Sequence, residues 1–165
     1  MGPLAYRTAL ATELLSFSPT VIRGNASEVL SLAGAAGAGR GVDSTARAEA
    51  ALPTARELAR RTGAVVAVSG KVDYITDGET VVEVRTGHQL MTQVTGVGCA
   101  LGALVAAACT VEDSALAAAV SATSLLTVSA ERAAAACSGP GSFAVALIDE
   151  LAGVTSETLA AGVRR

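Results

Sequence analysis

Thr20-Val21-Ile22-Arg23-Gly24-Asn25-Ala26-Ser27-Glu28 contains the change of periodicity that decides the fold. Thr20 to Arg23 is a short β-branched run and reads as a buried strand. Gly24 and Asn25 end it, and Asn25 is a good N-cap for a following helix. Glu28 falls at the third helical position, where its carboxylate can reach back to the N-cap amide and complete a capping box. Val29, Leu30 and Leu32 then point that helix inward. A strand feeding directly into a helix is the repeating unit of an α/β protein.

Upstream, residues 5–17 place Leu10, Leu14 and Leu15 at helical spacing, and Pro19 closes the segment. Downstream, residues 34–41 hold four glycines and no large apolar side chain, a loop with a candidate role as a lid. Residues 44–62 read as an amphipathic helix interrupted near Pro53, with Arg56, Glu57, Arg60 and Arg61 on its wet face. Residues 64–68 form a continuous apolar run, the mark of a strand covered on both faces, and Ser69-Gly70 breaks it. Asp77-Gly78 between two β-branched runs, 73–76 and 80–84, is a strong hairpin signal.

Residues 87–95 approach a second decisive stretch, Thr95-Gly96-Val97-Gly98-Cys99-Ala100-Leu101-Gly102. Two glycines one residue apart stand where helical periodicity begins. First-turn amides and the helix dipole together favour an anion at such a place, and a cysteine one step inside lies in the same field. A short Gly-x-Gly is a weak signal alone and fits a plain N-cap equally well. Residues 114–137 then make a long Ala-rich helix, Gly139-Pro140-Gly141-Ser142 a sharp turn, and residues 143–151 a last helix. Strands alternate with helices and then helices dominate, so the class is α/β, one domain over residues 1–165 with a largely parallel sheet.

Composition narrows the function. Apolar residues are 51% of the 165 but aromatics only 2%, so Ala, Val and Leu build the core. A net charge of −3 with scattered Lys and Arg leaves no basic footprint for nucleic acid. The apolar run 96–111 is shorter than the roughly 20 residues needed to span a bilayer, so a buried helix is expected and no membrane partner. Cys99, Cys109 and Cys137 lack metal-ligand spacing; free thiols in a reducing compartment fit, with Cys109 and Cys137 in the core. His88 is the single histidine and reads as a solvated loop residue.

Arg23 to Glu28, Ser69 to Asp73, and the Gly96–Cys99 turn each lie at or just after the end of an expected strand or hairpin. Ligands of open α/β sheets bind at those carboxyl ends. Together they imply a phosphate-handling cleft with an arginine, a hydroxyl, a glutamate and a helix N-terminus. Singly, each has a plainer structural reading: Glu28 a helix cap, Arg23 a surface ion pair, Ser69 a turn residue. Asp73 and Asp77 read as turn chemistry.

On these residues the sequence resembles the hydroxyethylthiazole kinase family, the thiamin-salvage branch of the ribokinase-like superfamily. The resemblance runs through Val21-Ile22-Arg23-Gly24-Asn25-Ala26-Ser27-Glu28, Gly41-Val42-Asp43-Ser44, Ser69-Gly70-Lys71-Val72-Asp73-Tyr74, Val94-Thr95-Gly96-Val97-Gly98-Cys99-Ala100-Leu101 and Gly139-Pro140-Gly141-Ser142-Phe143. Related vitamin and sugar kinases usually have aspartate where Cys99 stands.

The resemblance implies a three-layer ribokinase-like fold and the ATP- and Mg²⁺-dependent phosphorylation of the hydroxyl of 4-methyl-5-(2-hydroxyethyl)thiazole in the cytoplasm. It implies that Arg23 contacts ATP phosphates, that Ser69 (a threonine in most of the family) touches ATP, and that Glu28 holds Mg²⁺. Gly96 would contact thiazole. The amides of Gly96, Val97, Gly98 and Cys99 would form an anion hole, with Cys99 beside the attacking hydroxyl as modest base or positioner. It also implies a homotrimer with thiazole between subunits. Family members carry a further N-terminal segment that supplies the first strands, much of the thiazole pocket and an aspartate partnering Glu28. Without it, the chain is expected to expose a sheet edge and to assemble poorly. A catalytically inactive remnant that at most binds nucleotide is the alternative; a phosphomethylpyrimidine kinase or a nucleotide-repair dehydratase fits less well, because of Cys99.

Overall fold

The computed structural model describes residues 5–34 and 47–163. The chain divides between Glu83 and Val84 into two compact units. The lid expected at 34–41 and the start of the helix expected at Ser44 lie outside the described residues, except for Gly34.

In the first unit, α1 (Ala5–Leu14) and a 3-10 turn (Leu15–Phe17) precede β1 (Val21–Asn25). Asn25 caps α2 (Ala26–Leu32) with the expected capping box. α3 (Ala48–Thr62) leads into β2 (Val65–Ser69), which lies parallel to β1 with Val21 opposite Val65 and Asn25 opposite Ser69. β3 (Asp73–Thr76) returns antiparallel to β2, and β4 (Val81–Val84) completes the order β1-β2-β3-β4. The largely parallel sheet expected from sequence is thus mixed among the described strands: β1 and β2 form its parallel pair, and the hairpin supplies the antiparallel part.

Ile22, Val29, Leu58, Val66, Val68 and Tyr74 form the core between the helices and the sheet. Pro53 does not interrupt α3, which runs unbroken to Gly63. Proline removes one helical hydrogen bond; here its ring is exposed, while Ala51, Ala55, Leu58 and Ala59 on the opposite face are buried and hold the helix together. Nor is the arginine face of α3 wholly wet. Arg56 donates to the carbonyls of Gly78 (3.1 Å) and Glu79 (3.2 Å), and Arg60 pairs with Glu79 at 3.0 Å, so the helix clasps the β3–β4 turn. The apolar face of α1 stays open: Tyr6, Leu14 and Phe17 are exposed.

In the second unit a 3-10 turn (Gln89–Gln93) precedes four helices: α4 (Val97–Ala108), α5 (Ala115–Ala136), α6 (Pro140–Gly153) and α7 (Ser156–Val163). α5 is central and packs against the other three. α7 approaches it closely at Gly162, where a Cβ would lie 2.7 Å from Val128 of α5. Phe143 and Leu126 are fully buried between helices. The turn expected at 139–142 is the first turn of α6, with Gly139 as N-cap and Pro140 at N1, where its missing N–H costs nothing. α7 was not foreseen, because residues 156–163 lack a strong apolar stripe. Cys109 and Cys137 are half-buried rather than core thiols, since each is the C-cap of its helix; all three cysteines are free. No described helix is long and apolar enough to cross a membrane.

Candidate functional site

The parallel register of β1 and β2 places Arg23 and Ser69 at the same, carboxyl end of the sheet. There Arg23 Nη2 donates to Ser69 Oγ at 2.9 Å, a half-buried bond between residues 46 positions apart. Two residues beyond Arg23 the strand ends at Asn25 and α2 begins, with Glu28 in its first turn. Glu28 Oε2 accepts the Asn25 N–H at 2.8 Å, and Asn25 Oδ1 accepts the Glu28 N–H at 3.0 Å. Gly24 leaves the room this needs: a Cβ there would lie 3.1 Å from the Glu28 carboxylate.

Partial burial works to raise the Glu28 pKa. The Asn25 amide leads the effects that outweigh it, with the Arg23 charge a smaller one, and the carboxyl titrates below its ordinary value. The capping bond thus favours the charged carboxylate. Asp73, read from sequence as turn chemistry, also faces this cluster. Burial raises its pKa above the ordinary value, against a hydrogen bond from Gly70 and the charge of Arg23. Its signal was invisible in sequence, because an aspartate opening a hairpin strand is ordinary.

The expected magnesium can be tested against these donors. Among the described residues no three His, Cys, Asp or Glu side chains cluster as a resident metal centre would require. An ionised glutamate at a strand's carboxyl end does fit Mg²⁺ that arrives with a nucleotide, keeps most of its water and leans on one carboxylate.

In the second unit Gly96 is the N-cap of α4, at φ 98°, a conformation that favours glycine. The first helical bond runs from Ala100 N–H to Gly96 C=O at 2.9 Å. Val97, Gly98 and Cys99 therefore form the first turn of α4. Gly96, Gly98 and Cys99 are exposed, and a Cβ at Gly96 would meet nothing within 4 Å. The turn is thus open, not sealed in packing.

The approach loop is anchored in a way the sequence did not disclose. Thr86 Oγ1 and Thr127 Oγ1 of α5 lie 2.7 Å apart, and the Gly87 N–H donates to Glu131 Oε1 at 3.0 Å. Gly87 has φ 126°, and a Cβ there would touch Met91 and Thr127. His88 is exposed, as expected, and its Nδ1 accepts the Leu90 N–H to start the 3-10 turn. The groove of about 360 Å³ beside α3, lined by Ala33, Pro53, Glu57 and Arg61 among others, contains none of these residues.

A model of the hydroxyethylthiazole kinase family matches residues 1–157. The chain belongs to that family. It is 56% identical over 161 residues to the hydroxyethylthiazole kinase of Kineococcus radiotolerans, covering 98% of this chain and 58% of that relative. To that of Clavibacter sepedonicus it is 53% identical over 164 residues, covering 99% of this chain and 60% of the relative. The solved hydroxyethylthiazole kinase of Pyrococcus horikoshii OT3 superposes with a TM-score of 0.85 at 34% identity, over 96% of this chain and 59% of that one. The chain thus spans about three fifths of the length of these family members. The ribokinase-like α/β architecture implied by the motifs agrees with this likeness.

Proposed function

We propose that the chain takes part in ATP-dependent phosphorylation of the hydroxyl of 4-methyl-5-(2-hydroxyethyl)thiazole, contributing the nucleotide end of the site and the phosphoryl-receiving turn. One observation carries the reading: Arg23, Ser69 and an ionised Glu28 gather at the carboxyl ends of two parallel strands, in a chain of this kinase family. Arg23 and Ser69 bind ATP phosphates, and the Ser69 bond holds the guanidinium in place before nucleotide arrives. Glu28 faces Mg²⁺, which neutralises phosphate charge when bound.

Gly96 lies against the thiazole. The first-turn amides of Gly96, Val97, Gly98 and Cys99 receive the negative charge on the transferred phosphoryl group. Such preorganised donors are the main source of rate in a loose phosphoryl transfer. The substrate oxygen forms a bond to the γ-phosphorus, the bond to the β-phosphate oxygen breaks, and ADP leaves. The hydroxyl proton departs late, so little base strength is needed. Cys99 orients that hydroxyl and at most accepts its proton. Three free cysteines suit a reducing compartment such as the cytoplasm; the family's assembly is a trimer with thiazole between subunits, which this chain by itself is expected to form poorly.

Purified chain given ATP, Mg²⁺ and the thiazole alcohol should release ADP only when the alcohol is present. Nucleotide binding with no thiazole-dependent turnover would overturn the kinase reading. So would a folded Cys99→Asp variant without activity, since aspartate is the usual residue there in related kinases.

A further inference from the structure

Between β2 and β3 a three-residue turn, Gly70, Lys71 and Val72, separates Ser69 from Asp73. Asp73 Oδ1 accepts the Gly70 N–H at 2.8 Å and closes the turn from within. From outside, the first residue of α3 closes on the same glycine. A Cβ on Gly70 would come within 2.7 Å of Ala48 Cβ and 3.2 Å of the Val72 carbonyl oxygen. Immediately before Gly70 stands Ser69, whose hydroxyl receives the Arg23 guanidinium.

We propose that Asp73 is a positioning residue for the nucleotide end of the site: by holding the Gly70 amide it fixes where Ser69 presents its hydroxyl to Arg23. The inference rests on the reading that Arg23 and Ser69 meet ATP. It goes further in naming a residue that touches neither phosphate nor thiazole yet sets the geometry of the pair that does.

Asp77, in the next turn of the same hairpin, gives the contrast. Its exposed carboxylate accepts the Glu79 and Thr80 amides, while the arginines at that turn, Arg56 and Arg60, bond the Gly78 and Glu79 carbonyls and the Glu79 carboxylate instead. Asp73 performs the same local task half-buried and in the field of Arg23, the guanidinium that Ser69 receives on the other side of Gly70. Without the Asp73 side chain the Gly70 amide loses its acceptor, the turn relaxes, and Ser69 no longer holds Arg23 in register with β1.

The test compares Asp73→Ala, Asp73→Asn and Gly70→Ala with the parent chain in steady-state kinetics and in calorimetric titration with ADP and Mg²⁺. Asp73→Ala should raise KM for ATP and weaken ADP binding by about tenfold, with KM for the thiazole alcohol changed by less than about twofold. Asp73→Asn keeps an acceptor for the Gly70 amide and should stay within about threefold of the parent. Gly70→Ala displaces the turn from the other side and should reproduce the selective nucleotide defect, even if Asp73→Ala fails to fold. Unchanged ADP binding in folded Asp73→Ala or Gly70→Ala, or equal loss for both substrates, overturns the inference. A parent chain that binds ADP but does not phosphorylate the alcohol overturns the kinase reading alone, and the titration still decides Asp73. A parent chain that binds no ADP overturns both.

Discussion

The sheet unit and the helical unit each hold their candidate site residues by different means. In the first, Arg23, Ser69 and Glu28 are fixed by strand register, one side-chain bond and a capping box, so their geometry comes from the backbone of the sheet. In the second, the Gly96–Cys99 turn is exposed, and the loop leading to it is anchored on α5 through Thr127 and Glu131. Charges held by a sheet need no rearrangement when ligand arrives, which is the condition for strong electrostatic stabilisation. A turn delivered by a loop depends on whatever pins the loop. The difference teaches where this family member tolerates change.

The harshest way to break the comparison is to empty the helical core. Phe143→Ala should cost about 3–5 kcal/mol, read as a lower denaturant midpoint, because the ring is fully buried. Next comes Arg23→Ala, expected to lower kcat/KM by about a hundredfold through a lost preorganised charge. Cys99→Asp, in the open turn, should retain turnover within about tenfold or exceed the parent. If the two variants proved equally damaging, the contrast between a held guanidinium and an adaptable turn would collapse.

Glu131→Ala sharpens the same contrast from the other side. Loss of the Gly87 acceptor should cost about 1–2 kcal/mol of stability and lower kcat several-fold while KM for ATP stays near the parent value. Glu131→Gln keeps an acceptor oxygen and should restore most of both; a defect confined to KM for ATP would contradict the anchoring role.

The smallest effect belongs to the hairpin turn. Hydrogen bonds from the Thr80 and Glu79 amides hold the Asp77 carboxyl below its ordinary value of 3.8. The folded state therefore binds this proton less tightly than the unfolded chain does. Its stabilisation is complete above 3.8 and is lost as pH falls through the lower folded value. Asp77→Asn should flatten acid unfolding in that window, lowering the midpoint slightly at pH 7 and leaving it nearly unchanged below the folded value. A parallel downward shift at both pH values would refute it.

Legibility followed distance along the chain. The capping box at Asn25 and Glu28, the Asp77-Gly78 hairpin and the glycine start of α4 were all readable, because each is set by residues three or four apart. Pro53 was misread because local propensity marks it as a break, whereas burial of the opposite face of α3 overrides it. α6 began one turn early for a related reason: Gly-Pro-Gly-Ser signals a turn, and the same Pro also suits the first helical position. Asp73 passed as turn chemistry because nothing local tells a solvated carboxylate from one facing an arginine brought in by another strand.

The sequence by itself determined the α/β class, the places of the strands along the chain, all but the last of the helices, and the motifs that carry the kinase family. Hydrogen-bonding periodicity and capping are short-range, so they are written into neighbouring residues. Only the tertiary structure decided that Arg23 reaches Ser69, that Asp73 stands in their field, and that Glu131 pins Gly87. Each of these joins residues more than 40 positions apart, except for Asp73 and Ser69, which the hairpin brings together. Contacts at that range exist only once strands have found their register and helices their packing, and no local pattern encodes which side chains then meet.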